Sequence, residues 1–294
     1  MDADRPTSNT RVDPIPGEPA ATATVGDERV LLVADYHAGY EDALRHERGV
    51  DVPGRAPDRR ARMLALVDRV DPERLVVLGD LMHSIGDPGG AERGELEVLF
   101  DSFPGGLDVT IVKGNHDGLI ETWLGDDAST DIGGGDPAGS GSRPPADDVD
   151  VPTDGGSVTV VPGNGVRLEG LGVCHGHTWP APDVLEGDVL CLGHEHPCVR
   201  LEDEIGGSRV ERVWLRGRID PGPFRDRPEY DDVSWLPDGA GPNLVVVPAF
   251  NELVGGTWVN APNQSFLSPF LPDGLTDGEA YLLDGTRLGA YGTV

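Results

Sequence analysis

The chain has 294 residues, enough for one large domain or two small ones with a sizeable core. It carries 52 acidic against 23 basic residues, a formal charge of −29, and so lacks the basic footprint normal for nucleic-acid binding. That does not forbid such binding in high salt, because the Debye length at roughly 1 M is only about 3 Å.

No run of about 18 apolar residues exists, so no membrane span and no membrane partner are predicted. The polar N-terminus has no apolar signal core, and cytoplasmic localisation is expected. Lys113 is the single lysine; the other basic residues are arginine. Such selective loss of lysine with so much acid fits a protein from a halophilic archaeon, kept soluble by carboxylates in molar salt. The odd number of cysteines (Cys174, Cys191, Cys198) and the absence of CxxC spacing argue against a disulfide framework and predict buried, inert thiols in a reducing cytosol.

Residues 1–24 are polar and Pro-rich and read as a loose, flexible tail, leaving 25–294 as a single domain. An apolar run over 30–35 predicts a strand, followed by a loop through HAGYEDALRHERGVDVP. RRARMLALVDRV (59–70) places Met63, Leu64, Leu66, Val67 and Val70 at helical spacing, and Asp71-Pro72 ends that helix. A strand at 74–79, a helix near 91–101 and a strand at 109–113 complete a βαβαβ run, which implies parallel strands in a layered α/β domain.

Residues 125–157 contain no aromatic and almost no large aliphatic residue; the composition predicts a disordered insertion. Strands resume near 157–161, 166–174 and 189–192. CVRLED (198–203) and RVERVWLRG (209–217) alternate and predict a hairpin. Residues 217–242 form a Gly/Pro-rich loop, NLVVVPAF (243–250) another buried strand, and 281–292 a final hairpin.

Seven of the eight histidines fall in five motifs, each directly after an apolar run: VLLVADYH (30–37), RLVVLGDLMH (74–83), VTIVKGNHD (109–117), GVCHGH (172–177) and VLCLGHEH (189–196). Histidine and carboxylate are ligands for divalent transition metals, and strand ends are where open α/β sheets place active sites. Asp35 and His37, like His194 and His196, are spaced i, i+2 and point the same way. Asp80 is an anionic bridge for two cations, and Asn115 offers a neutral oxygen. Any one of these motifs alone is ordinary turn chemistry. The ordered set, each member at a strand end, predicts a dinuclear metal site.

These motifs, DYH, GDLMH, GNHD, CHGH and GHEH, resemble the signature motifs D-x-H, GD, GNH, H and GHxH of the calcineurin-like metallophosphoesterases over about residues 30–197. The resemblance implies a four-layer α/β/β/α sandwich of two mixed sheets. It implies two divalent metal ions, Mn²⁺ first, with Fe, Zn or Ni as alternatives. One ion would be held by Asp35, His37, Asp80 and His196, the other by Asp80, Asn115, His175 and His194. His116 matches the family's catalytic histidine, with Asp117 as its neighbour.

The run GDLMHS, with His83, looks like the GDLFH of double-strand-break repair nucleases. ADYHAGYEDALRHERGVDVP and VVVPAFNELVGGTWVN resemble the opening and closing segments of a subgroup that includes a ligase-associated endonuclease. Tyr36 stands where that subgroup carries leucine, and it is expected to alter packing rather than ligation.

The implied activity is phosphodiester hydrolysis by metal-activated water, with His116 and His83 assisting, on DNA or RNA in a nuclease. DNA-repair partners follow from resemblance alone. A phosphatase or phosphodiesterase acting on small molecules is the alternative, and a non-catalytic scaffold a weaker one. His177 reads as a pocket residue and His46 as surface. Arg55, Arg59 and Arg60, and Arg209, Arg212, Arg216 and Arg218, are candidate phosphate ligands weighed against ordinary ion pairs.

Overall fold

The apolar runs that precede each motif become strands of two facing sheets. The structure, a computed structural model, describes residues 10–86, 89–125, 149–152, 156–203, 205–237, 239, 241–261 and 264–294. The first sheet contains β1 (Val12–Pro14), β2 (Ala20–Val25), β3 (Glu28–Val33), β4 (Arg74–Val77), β5 (Asp108–Val112), β6 (Val149–Pro152) and β7 (Ser157–Val161), in the order β1-β2-β3-β4-β5-β7-β6. Strands β3, β4, β5 and β7 are parallel, as the βαβαβ reading requires.

The second sheet contains β8 (Val166–Leu168), β9 (Leu171–Cys174), β10 (Val189–Leu192), β12 (Ser208–Ile219), β13 (Asn243–Val246), β14 (Leu275–Leu282) and β15 (Arg287–Ala290). Its β9, β10 and β13 are parallel, and β11 (Cys198–Glu202) pairs with β12 off the main strand path.

Alternating side chains sort into three apolar layers. Val30, Leu32, Val76 and Val112 of the first sheet meet Val173, Cys191, Trp214 and Val245 of the second between the sheets. Leu31, Val33, Leu75 and Ile111 face outward onto α2 (Ala56–Val70) and α3 (Gly90–Asp101) through Met63, Leu66, Leu96 and Leu99. Each such side chain, fully buried, contributes roughly 1.5–3 kcal/mol. The outer layer on the second sheet consists of short 3₁₀ turns and loops rather than long helices. Val184, Leu185, Phe224 and Tyr230 fill it.

The expected loop at 37–53 contains α1 (Tyr40–Arg48), whose only buried residue is Glu41. Its polar composition hides it from an apolar-period search. Residues 12–24, expected as tail, form β1 and β2, because β2 finds a partner in the edge of β3. Residues 1–9 lie outside the described residues. Of the expected insertion, Gly125 ends α4 (Ile120–Gly125), Val149–Pro152 pairs antiparallel with β7, and 126–148 and 153–155 lie outside the described residues. The final hairpin starts earlier than expected, at Leu275, and turns between Leu282 and Arg287.

Three helices are tied together by buried charge. Arg59 of α2 donates to Glu41 of α1 (3.1 and 3.2 Å) and to Glu95 of α3 (2.9 and 2.6 Å). Tyr36 packs over this cluster: it stacks on Phe250 (5.7 Å, 16°) with the Arg59 guanidinium 5.2 Å from its ring.

Candidate metal centre

Parallel strands end on the same side, and the five motifs therefore meet. Asp35 and His37 follow β3, Asp80 follows β4, Asn115 and His116 follow β5, His175 follows β9, and His194 and His196 follow β10. The chain turns sharply at each end. Asp35, His37, Asp80, His194 and His196 all have positive φ, between 44° and 67°. Left-handed backbone at non-glycine residues costs energy and concentrates at functional sites.

Two glycines permit the close approach. A Cβ on Gly79 (φ +84°) would lie 2.1 Å from His175 Nδ1, and one on Gly114 would lie 2.0 Å from Asp80 Oδ1.

Potential ligand atoms gather in two groups that share Asp80. One atom each from Asp35, His37, Asp80 and His196 lies within 4.8 Å of the others, and so does one each from Asp80, His175 and His194. Asp80 Oδ2 is 3.7 Å from His37 Nε2 and 3.5 Å from His175 Nε2. Asp35 Oδ1 is 3.3 Å from His196 Nε2. Asn115 Oδ1 joins the second group, 3.2 Å from His175 Nε2.

Outer hydrogen bonds set the ring tautomers. His175 Nδ1 donates to the Leu78 carbonyl and His196 Nδ1 to the Gly255 carbonyl, both at 2.8 Å. A carbonyl only accepts, so each Nδ1 holds a hydrogen, and Nε2 is the ring atom that faces the carboxylates and is available to a metal.

The electrostatics favour a cation. Burial opposes ionisation of Asp80, but His175, His37 and His116 outweigh it and hold its carboxyl well below the usual range. Burial also disfavours a charged His175, yet Asp80 and Asp35 push it up to about 9. His194 is pushed down to about 3 by burial and by His175, and burial lowers His37 strongly. Imidazole nitrogens and buried carboxylates around shared space are the donor set that divalent ions such as Mn²⁺, Fe²⁺ and Zn²⁺ take.

A third group, His37, His83 and His116, borders the first. His83 Nδ1 is 3.2 Å from His37 Nδ1, and the His83 and His116 rings stack at 5.2 Å and 18°. His116 Nδ1 donates to the His83 carbonyl, while its Nε2 lies 4.0 Å from Asp80 Oδ2.

Asp117, expected as the neighbour of His116 among the catalytic residues, reaches the backbone of two motif loops. Its buried carboxylate accepts from the Leu81 (3.3 Å), Met82 (2.9 Å) and Gly114 (2.8 Å) amides, and thus clamps the GDLMH and GNHD loops together. His177 sits 5.3 Å from His175, ring to ring, half-buried at the edge of the second group. His46 is exposed and bonds its own helix. All three cysteines are buried, and burial pushes the Cys174 thiol up to about 12.

Several residues that brace the site escaped the sequence reading. Glu195, between the two histidines of GHEH, accepts from Thr257 Oγ1 (2.8 Å) and the amides of Leu267 (2.9 Å) and Ser268 (2.7 Å). Asn251 donates its side-chain amide to the His37 carbonyl (3.3 Å) and its backbone amide to the Asp35 carbonyl (3.2 Å).

Among the candidate phosphate ligands, Arg59 is the buried centre of the helix cluster, Arg55 pairs with Glu252 and Asp58, and Arg209 pairs with Glu211. Arg212, Arg216 and Arg218 donate to backbone carbonyls of Ala249, Val12 and Gly241.

The sequence profile of the family described as "Calcineurin-like phosphoesterase" matches residues 28–198. No curated protein matches the chain. Among solved structures, the Pseudomonas putida nuclease MPE aligns over 95% of this chain and 100% of its own, at 20% identity and a TM-score of 0.47.

Proposed function

The chain belongs to the calcineurin-like phosphoesterase family, and is thereby a metal-dependent phosphoester hydrolase; within that class we propose that it hydrolyses phosphodiesters. Asp35, His37, Asp80 and His196 would hold one divalent ion, and Asp80, Asn115, His175 and His194 the other. The mixed N/O set suits Mn²⁺. Bound there, two such ions supply Lewis acidity toward phosphoryl oxygens and lower the pKa of water.

His116 protonates the leaving oxygen from Nε2. Its Nδ1–H is already committed to the His83 carbonyl, which fixes the direction in which Nε2 points. His83 lies alongside, in stacking distance of His116 and within hydrogen-bond distance of His37.

The observation that carries the diester reading is this stacked His83–His116 pair at the partly open side of the centre. In diester hydrolysis the departing oxygen leaves as an alkoxide and takes up a proton, which His116 is placed to supply. A diester also brings a single negative charge, so it asks for fewer cationic partners than a dianionic monoester does.

Nucleic acid as the diester rests on the GDLMH and VVVPAFNELVGGTWVN resemblances. A small diester is favoured by the net charge of −29 and by the commitment of Arg55, Arg59 and Arg212 to other partners. With Mn²⁺, bis(4-nitrophenyl) phosphate should be turned over faster than 4-nitrophenyl phosphate. Preference for the monoester would overturn the proposal. Cleavage of labelled single-stranded DNA in the same screen selects nucleic acid over a small substrate.

A further inference from the structure

His83 reaches His116 through its backbone as well as its ring, and something must hold that backbone. Residues 83–86 carry no helix or strand, and Ile85 among them is exposed. The holding group is Glu92, in the first turn of α3. Its Oε1 accepts from the His83 amide (2.5 Å) and the Ser84 amide (3.0 Å).

Glu92 is 2% exposed, and its Oε2 has no hydrogen-bond partner among the described residues. Burying a carboxylate with one oxygen unsatisfied opposes stability, and an apolar side chain would pack there at lower cost. What the charge provides instead is a pair of charge-assisted bonds to two consecutive amides, roughly twice as strong as neutral ones. The same turn also supports the first motif: Glu95 Oε2 accepts from the Gly39 amide (2.9 Å), and a Cβ on Gly39 would meet Glu92 Cβ at 2.8 Å.

We propose that Glu92 is a positioning residue for phosphoester hydrolysis. By fixing the His83 peptide it sets where the His83 carbonyl receives His116 Nδ1–H, and hence where His116 Nε2 delivers its proton. The same hold sets the His83 ring against His37 Nδ1. This inference rests on the reading of His116 as the proton donor. Glu92 itself touches neither substrate nor metal ligands by its side chain.

The test uses the full chain with Mn²⁺ and a series of aryl phosphodiesters whose phenol leaving groups span a range of pKa. Glu92→Ala should keep both metals, leave KM unchanged and lower kcat by about tenfold on the poorest leaving group, the low end for supporting residues. On 4-nitrophenol, which needs little proton help, the change should be small. Glu92→Gln keeps an amide oxygen to accept from His83 and Ser84 and should restore the wild-type leaving-group dependence.

A Glu92→Ala enzyme with wild-type kcat throughout, or one equally slow on every leaving group, overturns the proposal. If that variant does not fold, Glu92→Asp replaces it. Withdrawing the carboxylate by one methylene should steepen the dependence, and equal slopes for Asp, Gln and wild type overturn the idea. His116→Gln is run in parallel. If it too shows the wild-type slope, the reading of His116 fails; if only the Glu92 variants do, the positioning role fails.

Discussion

His37 and His196 aim their Nε2 atoms at each other across 3.4 Å, in rings set nearly perpendicular. The His196 ring donates its Nδ1–H to the Gly255 carbonyl, so Nε2 is its free ligand position. His37 Nδ1 faces His83, so its Nε2 is the remaining ligand atom. Beside Asp35 and Asp80, these two converging nitrogens would both serve as ligands to one cation. Removing metal by chelation should therefore lower the melting temperature, and Mn²⁺ should restore it. At a hundredfold excess over Kd one site adds about 2.7 kcal/mol. Elemental analysis should find two ions per chain. A single ion, or a melting temperature indifferent to metal, would remove the dinuclear assignment.

His116 and Asp80 should separate chemistry from metal binding. His116→Gln is expected to lower kcat about a hundredfold, the low end for general acid help, with both ions retained. Asp80→Asn removes the shared anionic ligand and should lose metal and activity together. Full activity of His116→Gln on a poor leaving group would show that the proton comes from elsewhere.

The parts legible in the sequence were those written in side-chain identity. Histidines and carboxylates directly after VLLVA, RLVVLG and VLCLG gave the parallel strand ends and the residues that meet there, because an apolar run and a ligand type are both visible letter by letter. The supports were not legible. Asp117, Glu195, Asn251 and Glu92 act mostly on backbone amides and carbonyls, and the partner residue's letter says nothing about its peptide group. Helix α1 was missed because it turns a carboxylate, Glu41, inward rather than an apolar stripe. Strands β1 and β2 were missed because β2 is recognisable only by its pairing with β3, not by a strong alternation of its own.

The Arg59 cluster gives a stability prediction. Arg59→Met leaves Glu41 and Glu95 buried without their cation, and breaking such a group from one side costs ~3–5 kcal/mol. Lysine should not rescue it, since one ammonium cannot match the forked contacts to both carboxylates. The acid limb should change as well. Burial raises the Glu41 carboxyl, but Arg59 outweighs this and holds it below the usual glutamate range. A lowered folded-state pKa stabilises above the unfolded value and is lost as pH falls through the folded one. Wild type should thus lose stability on acidification below the usual glutamate range, and Arg59→Met should show less of that loss. Denaturant midpoints at several pH values decide it, and a variant as stable as wild type at pH 7 would show that the cluster is not structural.

Glu195 should control metal affinity without being a ligand. It lies between His194 and His196, fully buried, and its two oxygens receive the Thr257 hydroxyl and the Leu267 and Ser268 amides. The Glu195 carbonyl also accepts from the Thr257 amide (3.0 Å), so the segment that follows β13 is laced to the GHEH turn on both sides. That segment carries Gly255, whose carbonyl sets the His196 tautomer. Glu195→Ala orphans buried donors at about 1–3 kcal/mol each and frees both histidines from their fixed positive-φ turn. Metal affinity should fall about 10–100-fold, as for other supports of ligating histidines. Glu195→Gln keeps the volume and one acceptor oxygen, and should fall between that variant and wild type. Competition with a chelator of known affinity measures the effect on folded protein. A folded Glu195→Ala that holds metal as tightly as wild type would mean that the GHEH turn is rigid on its own, and that the bonds from Glu195 serve only the loop they reach.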